Sequence, residues 1–116
     1  MEENRELYLK TEELANFLKE SDVYKNYLDT REKLMENELL AGRIKEYMKR
    51  NFVIQNTESQ NKVDSLHDLQ NEYRDILRNT VARDFLNAEL VLCKTIKKMN
   101  SILVKDVDIN VEFLNF

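Results

Sequence analysis

Apolar residues recur along this chain at every third or fourth position, with polar residues between them. Phe85, Ala88, Leu92, Ile96, Met99 and Leu103 step by three and four, and Tyr27, Leu34, Ala41 and Met48 step by seven. Such spacings stack side chains on one face of a helix. The pattern predicts a first helix over about 7–19, with Leu7, Leu14, Phe17 and Leu18 as its stripe. Glu20-Ser21-Asp22 interrupts it, and Ser21 or Asp22 can cap the next helix by accepting an orphan backbone N–H. The second helix reads as one long element over about 22–56, roughly 50 Å if unbroken. The polar stretch Asn56-Thr57-Glu58-Ser59-Gln60-Asn61 predicts a turn. A third helix carries Val63, Leu66, Leu69, Tyr73, Ile76 and Leu77. It ends at Asn79-Thr80, with Asn79 as a C-cap or Thr80 as the next N-cap. A fourth runs over about 81–103, its Leu92 and Ile96 on the face expected to be buried.

After Lys105 the period changes to two. Val107, Ile109, Val111 and Phe113 alternate with Asp106, Asp108, Asn110 and Glu112, which predicts a docked extended arm rather than a frayed end. The expected fold is therefore all-α: a small antiparallel bundle of about four helices, one long (about 22–56), with an extended C-terminal arm. Residues 1–116 form a single domain, since no repeat, linker or low-complexity tract divides them.

The long helix carries more apolar surface than one seam needs. Tyr27, Leu34 and Ala41 suffice for its first half. Its second half has Ala41, Met48 and Phe52 on one side and Leu40, Ile44, Tyr47 and Ile54 on another. A helix apolar over a wide arc is covered on more than one side. Either this half lies at the bundle centre, or another chain covers it. The second option gives a candidate interface of Leu40, Ile44, Tyr47 and Ile54 with Val107, Ile109, Val111 and Phe113 of the arm. It makes the chain a symmetric homodimer, or a heteromer with similar helical proteins.

Composition narrows the chemistry. The chain has no proline and one glycine, Gly42, inside a helical pattern, so it lacks the glycine-rich loops that cradle phosphates. Its apolar runs are too short to span a membrane, and Met-Glu-Glu-Asn-Arg-Glu lacks the apolar core of a signal peptide. With one cysteine, these features place the chain in the cytoplasm. The single histidine, His67, lies off the 66/69/73 stripe and is expected to face solvent. One histidine cannot complete the di-iron pattern of helical bundles, and the chain reads as non-enzymatic with no small-molecule substrate. Cys93 packs as a small hydrophobe or serves as a thiolate ligand. One thiolate is too few for an iron–sulfur cluster or a zinc site, so no cofactor is expected for the chain alone, and a cluster could form only in a complex with other chains.

Charge is unevenly spread. Residues 1–40 hold eleven acids against six bases, which speaks against unspecific duplex binding. Arg43, Lys45, Lys49 and Arg50, and later Lys94, Lys97 and Lys98, form basic clusters, features that are usually solvated helix faces. Arg43, Tyr47, Lys49 and Arg50 nonetheless combine charge with an aromatic ring, as single-strand RNA-binding surfaces do. Direct RNA binding by these four residues is the alternative function.

Two stretches carry a family resemblance. The first is Glu13-Leu14-Ala15-Asn16-Phe17-Leu18-Lys19-Glu20-Ser21-Asp22-Val23-Tyr24-Lys25-Asn26-Tyr27, continuing through Lys33-Leu34-Met35-Glu36-Asn37-Glu38. The second is Leu69-Gln70-Asn71-Glu72-Tyr73, then Asn79, then Phe85-Leu86-Asn87-Ala88-Glu89-Leu90-Val91-Leu92. Together they resemble the YlbF/YmcA family of small helical bacterial regulators over roughly residues 5–105. Thr80 stands where that family commonly has proline, and either residue can begin a helix. The resemblance implies a non-catalytic adaptor in a cytoplasmic complex that supports competence, biofilm formation and sporulation in Gram-positive bacteria. It also implies action with the membrane-tethered endoribonuclease Y in messenger-RNA processing, an association of the complex with iron–sulfur clusters, and no catalytic residues.

Overall fold

The computed structural model describes residues 2–106, which form six α-helices after a short 3-10 turn at Glu2–Asn4, with no strand among them. The all-α expectation holds. The helices are α1 (Arg5–Lys19), α2 (Asp22–Met35), α3 (Glu38–Gln55), α4 (Lys62–Glu72), α5 (Arg74–Leu77) and α6 (Thr80–Asp106). The arm over 107–116, with Val107, Ile109, Val111 and Phe113, lies outside the described residues.

The boundaries are set by local hydrogen bonds. Ser21 caps α2: its hydroxyl accepts from the Tyr24 N–H at 3.3 Å and donates to the Leu18 carbonyl at 2.6 Å. Between α3 and α4, Asn56 and Thr57 side chains donate to the Phe52 and Val53 carbonyls, and Lys62 Nζ donates to the Gln55 carbonyl. Those to Val53 and Gln55 satisfy carbonyls that the helix end leaves without partners, while the Phe52 carbonyl also accepts from the Asn56 backbone N–H. Asn79 begins α6 rather than ending α5, because its Oδ1 accepts from the Ala82 N–H at 3.1 Å.

Two expected continuities are broken. The helix expected over about 22–56 divides at Glu36–Asn37, where Asn37 takes an extended conformation and its Oδ1 accepts from the Leu40 N–H at 3.1 Å. An asparagine side chain offers the backbone this alternative to continued helix. The third expected helix divides at Tyr73, with φ −104° and ψ 20°.

The Asn37 break decides where the core lies. In an unbroken helix Leu40 would sit about 120° round from Leu34, on a different face. With the chain re-aimed, Leu34, Leu40, Ile44, Leu69, Tyr73, Ile76, Ala82 and Phe85 form one buried cluster. Tyr27, Ala41, Tyr47, Met48 and Ile54 pack against its edge. Leu34, near the end of α2, shares this cluster with Ala82 and Phe85, near the start of α6, so the two helices run in opposite directions. The Tyr27 and Phe85 rings meet with centroids 5.8 Å apart. Ile44, at 1% exposure, and Leu69 are the largest fully buried side chains, each contributing about 1.5–3 kcal/mol by burial.

Candidate partner interface

The surface proposed from sequence on the long helix is not a surface. Leu40 and Ile44 are buried inside the chain, and Tyr47 and Ile54 are half-buried against the same cluster. The second side of α3 is covered by α4 and α5, so its wide apolar arc reflects a position at the bundle centre.

The basic and aromatic residues of α3 do come together, around Tyr73. The Arg43 and Arg50 guanidinium carbons each lie 5.5 Å from the Tyr73 ring centroid. The Tyr47 ring meets Tyr73 at 5.6 Å in an edge-on arrangement. Arg50 Nη1 donates to the Tyr73 hydroxyl at 3.3 Å and pairs with Glu72. Arg43 pairs with Asp75, holding its carboxyl below the usual carboxylate range, and burial pushes the Tyr47 phenol up. The sign of the Asp75 effect is that of any depressed carboxylate. Its contribution is complete above the ordinary carboxylate pKa and is lost as pH falls through the lowered one. Of Arg43, Tyr47, Lys49 and Arg50, Lys49 alone is a cation with no ion pair among the described residues. Two of the three positive charges are thus matched by carboxylates, leaving little for a phosphate backbone to attract.

The unsatisfied apolar surface lies elsewhere. Helix α1 buries none of its residues. Its stripe stands open, with Phe17 at 75% exposure and Leu7 at 63%, while Leu14 and Tyr8 are also exposed and Leu18 half-buried. A second open surface is the distal half of α6. Burial along that helix ends at Leu92, and the stripe continues into solvent through Ile96, at 45% exposure, and Leu103. The expectation that Ile96 lies in the core is corrected. Helix α6 has 27 residues against 14 in its antiparallel partner α2, and its turns after Leu92 hold no buried residue. Because α1 joins α2 at that same end, the two open surfaces leave the core together. Periodicity marked both stripes, but it could not say that the described residues leave them uncovered.

Cys93 is exposed rather than packed, and its Sγ donates to Glu89 Oε1 at 3.1 Å. That hydrogen bond, with partial burial and the Glu89 charge, pushes the thiol pKa up against the smaller opposing effect of Lys97. One thiol is a single member of the four-cysteine ligand set that an iron–sulfur cluster usually takes. His67 is exposed as expected. Among the described residues no three histidine, cysteine, aspartate or glutamate side chains are grouped as a metal site. Glu89→Ala is expected to raise the alkylation rate of Cys93 at neutral pH several-fold by lowering its pKa. An unchanged rate–pH profile would show that Glu89 does not hold the proton.

The fold and its open surfaces define a small all-helical protein with an amphipathic helix left uncovered. The chain belongs to the YlbF/YmcA family: the family described as control of competence regulator ComK, YlbF/YmcA, matches residues 7–108. It is similar to a UPF0342 protein of Caldicellulosiruptor bescii, 27% identical over 115 residues and covering 97% of each chain. A UPF0342 protein of Caldicellulosiruptor saccharolyticus is 27% identical over 111 residues, covering 93% of this chain and 92% of its own length. No solved structure matches. Family membership supports a regulatory role for the chain. No helix among the described residues is long and apolar enough to cross a membrane.

Proposed function

We propose that the protein is a non-enzymatic adaptor that acts in the cytoplasm through protein–protein contacts. The complex it enters modulates endoribonuclease Y-dependent messenger-RNA processing, and thereby competence, biofilm formation and sporulation. The carrying observation is α1, an amphipathic helix with large apolar side chains exposed and none buried. Contiguous exposed apolar surface on a small protein marks a contact site, and the family's regulatory character supports a partner over a substrate. The partners are similar helical proteins and the nuclease. Any iron–sulfur cluster belongs to the assembled complex, with this chain supplying no more than one ligand.

Affinity purification from native lysate tests this reading. The wild-type chain is expected to recover a YlbF/YmcA-like protein together with the endoribonuclease, and Phe17→Asp to lose both while remaining folded. Recovery of neither by the wild type contradicts the reading. A salt-dependent shift of labelled single-stranded RNA by the purified chain would favour the direct RNA-binding alternative instead.

A further inference from the structure

Helices α2 and α3 and the start of α6 enclose between them a cavity of about 540 Å³ that opens to solvent. Cavities of this size hold small organic molecules. The inner wall is apolar: Leu34, Ile44 and Phe85 are buried, and Tyr27 and Met48 beside them are half-buried. The flexible thioether of Met48 lets that wall adapt to what it meets. The outer edge is charged. Arg31 of α2 and Lys45 of α3 both stand exposed there, and the Arg31 guanidinium carbon lies 5.5 Å from the Tyr27 ring centroid. Glu38 is the carboxylate of this edge and pairs with neither cation among the described residues. Two cations against one anion leave a single positive charge in excess.

The chain's one glycine lies on the same wall. Gly42 lines the cavity between Ala41 and Lys45 on α3. Glycine in a helix interior is less stable than alanine there. Nothing crowds this position, since a Cβ added at Gly42 meets no atom within 4 Å. Packing inside the chain therefore gives no reason for the missing side chain. Its effect is on the cavity: a longer side chain at this position would stand at the edge and narrow the opening.

We infer that this cavity binds a medium-chain carboxylate, its hydrocarbon chain against the inner wall and its head group at Arg31 and Lys45. An apolar wall with a charged edge suits an amphiphile, and one excess positive charge matches a monoanion. The guanidinium fork of Arg31 suits a carboxylate, which it can meet with two parallel hydrogen bonds. Its contact with the Tyr27 ring positions it in advance. A doubly charged phosphate head would meet Glu38 with less positive charge to offset it. The ligand is bound rather than converted. Among the described residues none of α1 lines the cavity, so the site stands whether or not the adaptor reading does.

Calorimetric titration of the full chain with decanoate tests it, with decanol as the uncharged probe. The wild type is expected to bind decanoate saturably, one molecule per chain, with the negative heat-capacity change of apolar burial. Arg31→Gln combined with Lys45→Gln is expected to weaken decanoate several-fold and to leave decanol unchanged; the factor is modest because both cations are solvated. Gly42→Leu is expected to abolish saturable binding of both probes by taking up the space. Circular dichroism checks that each variant keeps the wild-type helical signal. Unchanged binding in folded Gly42→Leu overturns the inference, as does a double substitution that leaves decanoate as tight as before or weakens decanol equally. A wild type without saturable binding at millimolar decanoate also overturns it, the result expected if a protein side chain fills the cavity instead.

Discussion

Ile44→Asp is expected to abolish folding rather than release a partner. Ile44 is 1% exposed in the cluster that joins α2, α3, α4, α5 and α6. An aspartate there must bury a carboxylate with no counter-charge, at a cost of several kcal/mol. The lost isoleucine packing adds about 2–5 kcal/mol, the range also expected for Ile44→Ala. Total stability of a domain this size is about 5–15 kcal/mol, so the charged variant consumes most of it. Chemical denaturation of Ile44→Ala and the helical signal of Ile44→Asp measure the two effects. An Ile44→Asp chain with a wild-type transition would return this residue to the surface.

Tyr73→Ala is expected to cost about 3–5 kcal/mol, and Tyr73→Phe only about 1 kcal/mol. The ring is buried between α3 and the α4–α5 break, and two guanidinium groups and the Tyr47 edge surround it. Phenylalanine keeps the ring and its contacts with Arg43 and Arg50, losing only the hydroxyl that accepts from Arg50. Alanine removes the ring, leaves a cavity and frees both arginines. Denaturation midpoints of the pair separate packing from hydrogen bonding. Equal losses would mean that the hydroxyl, rather than the ring, organises this corner.

Much of the helical architecture was legible because its signals are local. Ser21 and the Asn56–Asn61 turn lie where the polar interruptions predicted them, and the α6 stripe is buried from Ala82 to Leu92. The break at Asn37 was hidden by the pattern around it. Tyr27, Leu34, Ala41 and Met48 all reach the core on both sides of the break, so their seven-residue period runs through it undisturbed. Once the chain is re-aimed there, Leu40 and Ile44 turn from a surplus face into the centre of the bundle. The fate of Arg43 and Arg50 was equally hidden, because Glu72 and Asp75 face them only after α4 and α5 fold back. Periodicity shows that a helix is amphipathic; whether the covering surface belongs to the same chain depends on tertiary geometry. For α1 and distal α6 the stripes look like core in sequence and stand in solvent in the fold.

The central claim is that α1 is a contact surface left unsatisfied by its own chain. Amide hydrogen exchange along α1, measured in dilute solution of the wild-type protein, tests it most directly. A helix with no buried residue opens at little cost, so its amides are expected to exchange rapidly when dilute while those of α3 and early α6 stay protected. Strong protection of α1 in dilute solution would contradict the account, because it would mean that the chain covers this helix by itself.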